Sequence, residues 1–300
     1  MGKVIRRSRM QRSRTGKRLE LTARDLDIFR LLSCYRYLSA PTIHAFVGGV
    51  SRKRFTERLG DLYHEGYLDR PQRQWEMADC RHRPVVYELD AGARRVIAEH
   101  AIVPEPRTWL GIHAQRQFSH AVLICEVLAS IEIGAQNTPG LRWISWSEIL
   151  GKLPDTTATS ATPYALPGPA GPLIPDALFG LEYDMATKKT YRFFALEVDR
   201  ATMPVSRTNP YQSSLLKKLE TYRARLCESA YRSHWGLPNL LVLTVTTSES
   251  RVGFVVEKLA PMPQFLFKCF DEKDGWSMSQ QFWTTPWLRA GHPPLHIGAS

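Results

Sequence analysis

Residues 175–199 read PDALFGLEYDMATKKTYRFFALEVD, and the fold turns on them. Asp176 begins an apolar stretch, Ala177 to Tyr183. Glu197 and Asp199 end a second, Tyr191 to Asp199. The polar tract Asp184 to Lys189 between them suits a hairpin turn. Antiparallel pairing about the midpoint of that tract, between Ala186 and Thr187, sets Asp176 opposite Glu197. Residues two apart on a strand share a face, so Asp199 points the same way as Glu197. Three carboxylates are thereby expected at one end of a sheet. Buried like charges repel and desolvation disfavours their ionisation, so a cation is expected among them. Hard oxygen ligands favour Mg2+ or Mn2+. Phe193, Phe194, Ala195, Leu196 and Val198 make both faces of the second stretch apolar, as in a central strand covered by helices.

A helix is predicted from about Pro210 to Tyr231, with Leu215, Leu219, Tyr222 and Leu226 as its apolar stripe. Lys218 lies on the shoulder of that stripe and Lys217 points nearly opposite. From there the Lys218 ammonium would reach the sheet end, to orient water or offset phosphate charge. A lysine snorkelling from a core-facing helix fits the same spacing. Glu148, just beyond a strand over Leu141–Trp146, is a candidate fourth acid, although a solvated loop glutamate fits its position slightly better. His120, in an apolar helix over Gln117–Ile133, reads as a satisfied core histidine ahead of a catalytic one.

Three hundred residues, 43% of them apolar, suffice for two cores of ordinary size. The formal charge of +11 is unevenly placed. Residues 1–18 hold eight Lys or Arg and no acid, whereas residues 19–105 balance at thirteen of each sign. A basic disordered arm that binds polyanions is expected over 1–18. No apolar segment follows its charges, so it does not read as a secretory signal. The five cysteines are scattered and odd in number, as in a reduced cytoplasmic protein. Cys80 and His82 lack a second ligand pair, so no zinc is expected. No run approaches the ~20 apolar residues of a membrane span, and no membrane partner is expected.

Thr22 caps a predicted helix buried through Leu26, Ile28, Phe29, Leu31 and Leu32. A short helix over Ser39–Phe46 and a third over Arg52–His64 follow. Two strands, Tyr67–Leu68 and Pro84–Leu89, then flank an arginine-rich loop. Three helices and a hairpin are the pattern of a winged helix-turn-helix, whose third helix enters the major groove of double-stranded DNA. Arg52, Lys53, Arg54, Thr56 and Arg58 populate that helix's polar side. Arg70, Arg73, Arg81 and Arg83 would straddle phosphates from the wing. A winged fold used for protein contact would carry the same charges as a solvated face.

Beyond a linker at Val103–Arg107, the elements read helix, strand, long loop (Pro154–Pro172), strand, strand, helix, strand (Leu240–Thr246), strand (Arg251–Glu257), then irregular cover. Loops of that length are often functional or disordered. This order, with Asp176 starting one strand and Glu197-Val198-Asp199 ending the next, resembles the PD-(D/E)xK nuclease superfamily. More narrowly, the chain resembles the replication-relaxation protein family and is similar to mobilisation class C relaxases. The similar text includes Trp146-Ser147-Glu148, Pro175-Asp176-Ala177, Leu196 to Arg200, Lys218 with Tyr222, and Leu240–Thr246 with Arg251 beyond it. It spans roughly residues 20–290. The fold expected is α/β: an N-terminal winged helix-turn-helix (19–105) followed by a restriction-endonuclease-like mixed-sheet domain (106–300).

The resemblance implies a metal-dependent DNA-nicking protein, a relaxase or nickase, at a plasmid or mobile-element transfer or replication origin. Asp176, Glu197 and Asp199 would hold Mg2+ or Mn2+, and the substrate would be double-stranded DNA with a locally melted origin strand. Relaxosome or replication proteins and a second copy of the chain are its implied partners. The alternative is a non-catalytic origin-binding accessory or transcriptional regulator on a retired nuclease scaffold. In the superfamily pattern the third motif position is usually Lys, and here it is Asp199. Relatives can supply that lysine from the following helix, which makes Lys218 the candidate. Without a His-hydrophobe-His pair, two-histidine relaxase chemistry is not available. Tyr211 and Tyr222 could serve as covalent nucleophiles, but tyrosines on an amphipathic helix are more often packing.

Overall fold

The computed structural model describes residues 8–14, 16, 19–49, 51–76, 80–100, 118–158, 160, 162–169, 171–185, 187–200, 215–259, 261–270 and 280–299. These fall into two compact units. The first takes the described residues of 1–107 together with 121–129, and the second takes nearly all the rest.

In the first unit, α1 (Ala23–Cys34) starts at a reciprocal cap. The Thr22 hydroxyl accepts from the Asp25 amide, and the Asp25 carboxylate accepts from the Thr22 amide. Ile28, Phe29 and Leu32 are its buried stripe. β1 (Leu38–Ser39) runs directly into α2 (Ala40–Val47), which Ser39 caps. Ser51 caps α3 (Arg52–His64), burying Phe55, Leu59 and Leu62 while Arg52, Lys53, Arg54 and Thr56 stay exposed. β2 (Leu68–Asp69), a 3-10 turn over Gln72–Glu76, β3 (Val86–Leu89) and α4 (Ala91–Glu99) complete the unit. β3 lies between β1 and β2 in an antiparallel sheet, with Leu38 facing Tyr87 and Leu68 facing Leu89.

Two features of this unit depart from what its sequence suggests. Residues 8–14 pack on the unit where a free arm is expected: Arg12 pairs with Asp69 and Asp90, and the Ser13 amide donates to His64 Nδ1. Residues 1–7, 15, 17 and 18 lie outside the described residues. The second is a buried acid, Glu126, which accepts from the Ser39 amide at 2.6 Å and the Thr42 hydroxyl at 2.5 Å. Burial pushes its carboxyl up to about 7 despite those hydrogen bonds.

The second unit is built on a seven-stranded mixed sheet. Its elements are α5 (Phe118–Gln136, of which 121–129 count with the first unit), β4 (Leu141–Ile144), α6 (Trp146–Leu150), α7 (Asp155–Ala158), β5 (Ala177–Asp184) and β6 (Lys189–Asp199). Then come α8 (Leu215–Cys227), α9 (Ala230–Trp235), β7 (Leu241–Thr246), α10 (Glu249–Leu259), β8 (Met262–Cys269), α11 (Gln281–Thr284), β9 (Trp287–Ala290) and β10 (His292–Leu295). The spatial order is β10-β9-β8-β7-β6-β5-β4. β6, β7 and β8 are parallel, joined through α8–α9 and α10, and the remaining pairs are antiparallel.

The hairpin register is the one the turn tract dictates, running from Asp184 opposite Lys189 to Ala177 opposite Leu196. Leu178, Phe193 and Ala195 on one sheet face pack with Leu219, Tyr222, Trp235, Val255 and Leu259 in a single core. Trp143, Phe179 and Phe194 stack in a row, with centroids 4.6 and 5.0 Å apart.

Several boundaries differ from the sequence reading. The predicted strand over Arg251–Glu257 is the helix α10, because Val252, Val255 and Leu259 bury one helical stripe. β8 follows α10, and the irregular cover expected around Phe282, Trp283 and Trp287 contains the strands β9 and β10. The long helix ends at Cys227, since Ser229 adopts φ 53° and α9 restarts beyond it. The loop 154–172 is fastened: Leu166 and Leu173 bridge to each other, and the Pro163 carbonyl accepts from Trp235 Nε1 at 3.0 Å. α5 is long and apolar enough, by length and composition, to cross a membrane, contrary to the expectation that no run approaches that length. In this structure 67% of its apolar window is buried within the protein, as in a core helix.

Candidate active site

The end of the β5–β6 pair assembles the site. Asp176, one residue ahead of β5, donates its amide to the Leu196 carbonyl at 3.1 Å, which holds it beside the C-terminal end of β6. Its Oδ2 accepts from the Val198 amide at 2.8 Å. Glu197 is on the β6 face shared with Phe193 and Ala195, and that face is packed by α8. Lys218, in the first turn of α8, brings its Nζ onto Glu197 Oε2 and to 3.7 Å from Asp176 Oδ1. Lys217 is exposed on the other side of the helix. The angular reading of the helix therefore holds, and the ammonium faces the carboxylates.

Burial alone would raise the Asp176 carboxyl, but the Lys218 charge, His120 and the Val198 amide hold it at about 2. For Glu197, burial and the Asp176 charge outweigh Lys218 and Tyr222 and push the carboxyl up to about 7. Burial would lower Lys218, yet the two carboxylates raise it above its usual value, so it stays an ammonium. The pair and its lysine thus favour one firmly ionised acid, Asp176, beside a second that takes up a proton more readily.

Tyr222, one turn along α8, donates to Glu197 Oε1 at 2.6 Å and is fully buried. Burial and the Glu197 charge raise its pKa well above the usual 10. Its hydroxyl keeps its proton and aims the carboxylate, which is not the state of a nucleophile. Tyr211 lies outside the described residues. His120, which its sequence context marks as core, belongs to the site. Its Nε2 is 2.8 Å from the Val198 carbonyl and 3.4 Å from Asp176 Oδ2. Burial works against its protonation, but the Asp176 hydrogen bond and charge raise its pKa. The missing signal was distance along the chain, since its partner is 56 residues away in sequence.

Two expected acids are occupied elsewhere. Asp199 Oδ2 is ion-paired with Arg251 from α10 and accepts from the Thr246 hydroxyl at 3.3 Å. Glu148 pairs with Arg142 and Lys152, and Arg142 in turn pairs with Glu182, which also binds Lys189. Because Arg142 faces Glu182 and Glu182 faces Tyr191, that network sits at the opposite end of β5 from Asp176. Its charges hold the Glu148 carboxyl down to about 2, Arg142 chiefly.

Among the described residues no group of three or more His, Cys, Asp or Glu is placed to hold a metal ion. The three-carboxylate centre expected from the sequence is therefore corrected to two carboxylates and a lysine. Asp176 and Glu197 still supply the hard oxygen donors that Mg2+ or Mn2+ prefers. Mg2+ is commonly held by one or two carboxylates, with water and substrate phosphate completing the shell. Lys218 occupies the space between the two carboxylates, so an ion held by both would take the place of the ammonium.

The basic residues of the first unit sort by burial. Arg52, Lys53, Arg54 and Thr56 on α3 are exposed, as are Arg73 and Arg81, while Arg83 is half-buried. Arg58 instead clamps Asp25, its Nη2 at 2.6 Å from Oδ2, and donates to the Glu20 carbonyl. Arg70 is buried against the Tyr63 ring and donates to the Tyr87 hydroxyl at 3.0 Å. Those two arginines are engaged within the unit, Arg70 buried and Arg58 half-buried.

The replication-relaxation family model matches residues 29–237. That span takes in α3, the β5–β6 hairpin, Asp176, Glu197 and Lys218. No curated protein and no solved structure matches the chain.

Proposed function

Because the chain belongs to the replication-relaxation family, we propose that it binds double-stranded DNA and nicks it at a plasmid or mobile-element origin. The observation that carries this reading is Lys218 seated against both Asp176 and Glu197 at the end of two registered strands. That arrangement resembles the acid-acid-lysine set of a PD-(D/E)xK nuclease, with the lysine supplied by the next helix instead of the strand. A divalent ion held by Asp176 and Glu197 would polarise the scissile phosphate and activate water. Lys218 contributes a fixed positive charge where a phosphate oxygen would lie. Tyr222 fixes the Glu197 carboxylate plane, leaving Oε2 toward Asp176 and the ammonium. In this reading the first unit is a winged helix, and the exposed basic residues of α3 meet the major groove.

The test uses supercoiled plasmid carrying the protein's own origin, with Mg2+, Mn2+ or EDTA. Nicked circles are expected with metal and not with EDTA. Asp176→Asn and Glu197→Gln keep shape but lose ligand charge, so cleavage should fall ~100-fold or more while DNA binding persists. One observation favours a second reading, a non-catalytic origin-binding protein on a retired scaffold. Lys218 fills the space between the two carboxylates as an internal counter-ion would. No cutting by wild type with either metal on its own origin would install that reading.

A further inference from the structure

We propose that residues 8–14 form a structural strap that fixes the loop around Arg81–Arg83 against α3, and so shapes the duplex-binding surface of the first unit. The inference rests on the DNA-binding reading for its partner and on the strap's own contacts for its mechanism. Arg9 reaches that loop with both arms of its guanidinium: Nη1 donates to the Arg81 carbonyl at 3.0 Å and Nη2 to the Arg83 carbonyl at 2.6 Å. The same group lies over the Trp75 ring at 5.4 Å. The Arg9 carbonyl in turn accepts from buried Arg70 at 2.8 Å.

Further along, the strap is tied to the opposite flank of the unit. The Met10 carbonyl accepts from the Tyr63 hydroxyl at 3.4 Å. Arg12 bonds Asp69 and the Leu68 carbonyl, reaches Asp90 at 2.6 Å, and covers the Tyr63 ring. The Ser13 amide donates to His64 Nδ1 at the end of α3. One short segment thus joins the end of α3, β2 and the loop before β3. Such a two-pronged donor to two backbone carbonyls is a job for arginine, since lysine offers a point charge without the fork.

The strap borders a cleft of about 940 Å3 whose walls include Lys53 and Thr56 of α3 on one side and Arg81 and Arg83 on the other, with Arg9 on its rim. Among the described lining residues, the acids are Glu57 and Asp61. A charged concavity of this kind suits the phosphate backbone of a duplex. Arg9 acts as a positioning residue, because its donors are spent on the loop and the loop's width follows from them.

The experiment compares wild type with Arg9→Lys and Arg9→Ala in the full chain. Hydrogen–deuterium exchange is read over residues 80–87, and affinity for a mixed-sequence 30-base-pair duplex is read by anisotropy across salt concentrations. Arg9→Lys keeps the charge and loses the fork. It should speed exchange in the loop by ~10-fold or more and weaken duplex binding ~5–10-fold, with the log–log salt slope unchanged. Unaltered exchange in both variants, with Arg9→Ala only flattening the slope by about 0.9, would overturn the strap and leave Arg9 a simple phosphate contact. If wild type binds no duplex, the DNA reading fails and the partner with it, while the exchange data still decide whether the clamp exists.

Discussion

Asp176 is held by the Val198 amide, His120 and Lys218 together. Its lysine gives the sharpest single-residue test. Lys218→Met keeps the apolar stem but leaves two buried carboxylates without their counter-ion, so it should lose stability, by roughly 3–5 kcal/mol at most, and nicking by the folded fraction should drop ~100-fold or more; Lys217→Met should be nearly silent on both counts. Equal losses in the plasmid assay would mean that both lysines only attract DNA. A second test lies at Glu126. Its folded carboxyl titrates at about 7 against 4.5 unfolded, so its stabilising contribution is full below pH 4.5 and is lost as pH rises through 7. Glu126→Gln should therefore gain on wild type between pH 5 and pH 8, by roughly 3 kcal/mol at most, in urea titrations at the two pH values. Asp176, Glu197 and Lys218 were legible in the sequence because strand period and helix angle are local rules. The fates of Asp199 and His120 were not, since each depends on a partner more than fifty residues away.

At the scale of elements, one misread segment accounts for one misplaced ligand. A strand over Arg251–Glu257 would carry Arg251 along the sheet, whereas α10 sets it in a first turn over Asp199. The β-branched content of that segment suggested a strand, and burial of Val252, Val255 and Leu259 on one side overrode it. The register of the β5–β6 hairpin was legible to the residue, because a one-residue slip would turn its apolar set out of the core. The 154–172 segment was not, because its hold on the fold comes from α8 and α9. Arg225 of α8, 2% exposed, lies so close to Gly168 that a Cβ there would be 1.7 Å from Cζ. Gly168→Ala should destabilise the protein by ~2 kcal/mol or more, as overpacking does. A denaturation midpoint equal to wild type would mean that the Arg225 guanidinium swings aside at little cost.

For the whole molecule, salt dependence separates the charge of the N-terminus from its architecture. Residues 1–7 hold three basic groups, Lys3, Arg6 and Arg7. Removing them should lower the log–log salt slope of duplex binding by at most about 2.7 without disturbing exchange at residues 80–87. Truncation through residue 14 should do both. A truncation to residue 8 that already loosens those amides would place the anchor further toward the N-terminus. The sheet has its own bearing on assembly. β10 reads His292-Pro293-Pro294-Leu295 and stands last in the strand order. Half of that rim strand has no amide hydrogen to offer an incoming chain. Two copies of this protein are thereby hindered from one common way of joining, a continuous sheet across the β10 rim, which leaves β4 as the open rim of the seven-stranded sheet.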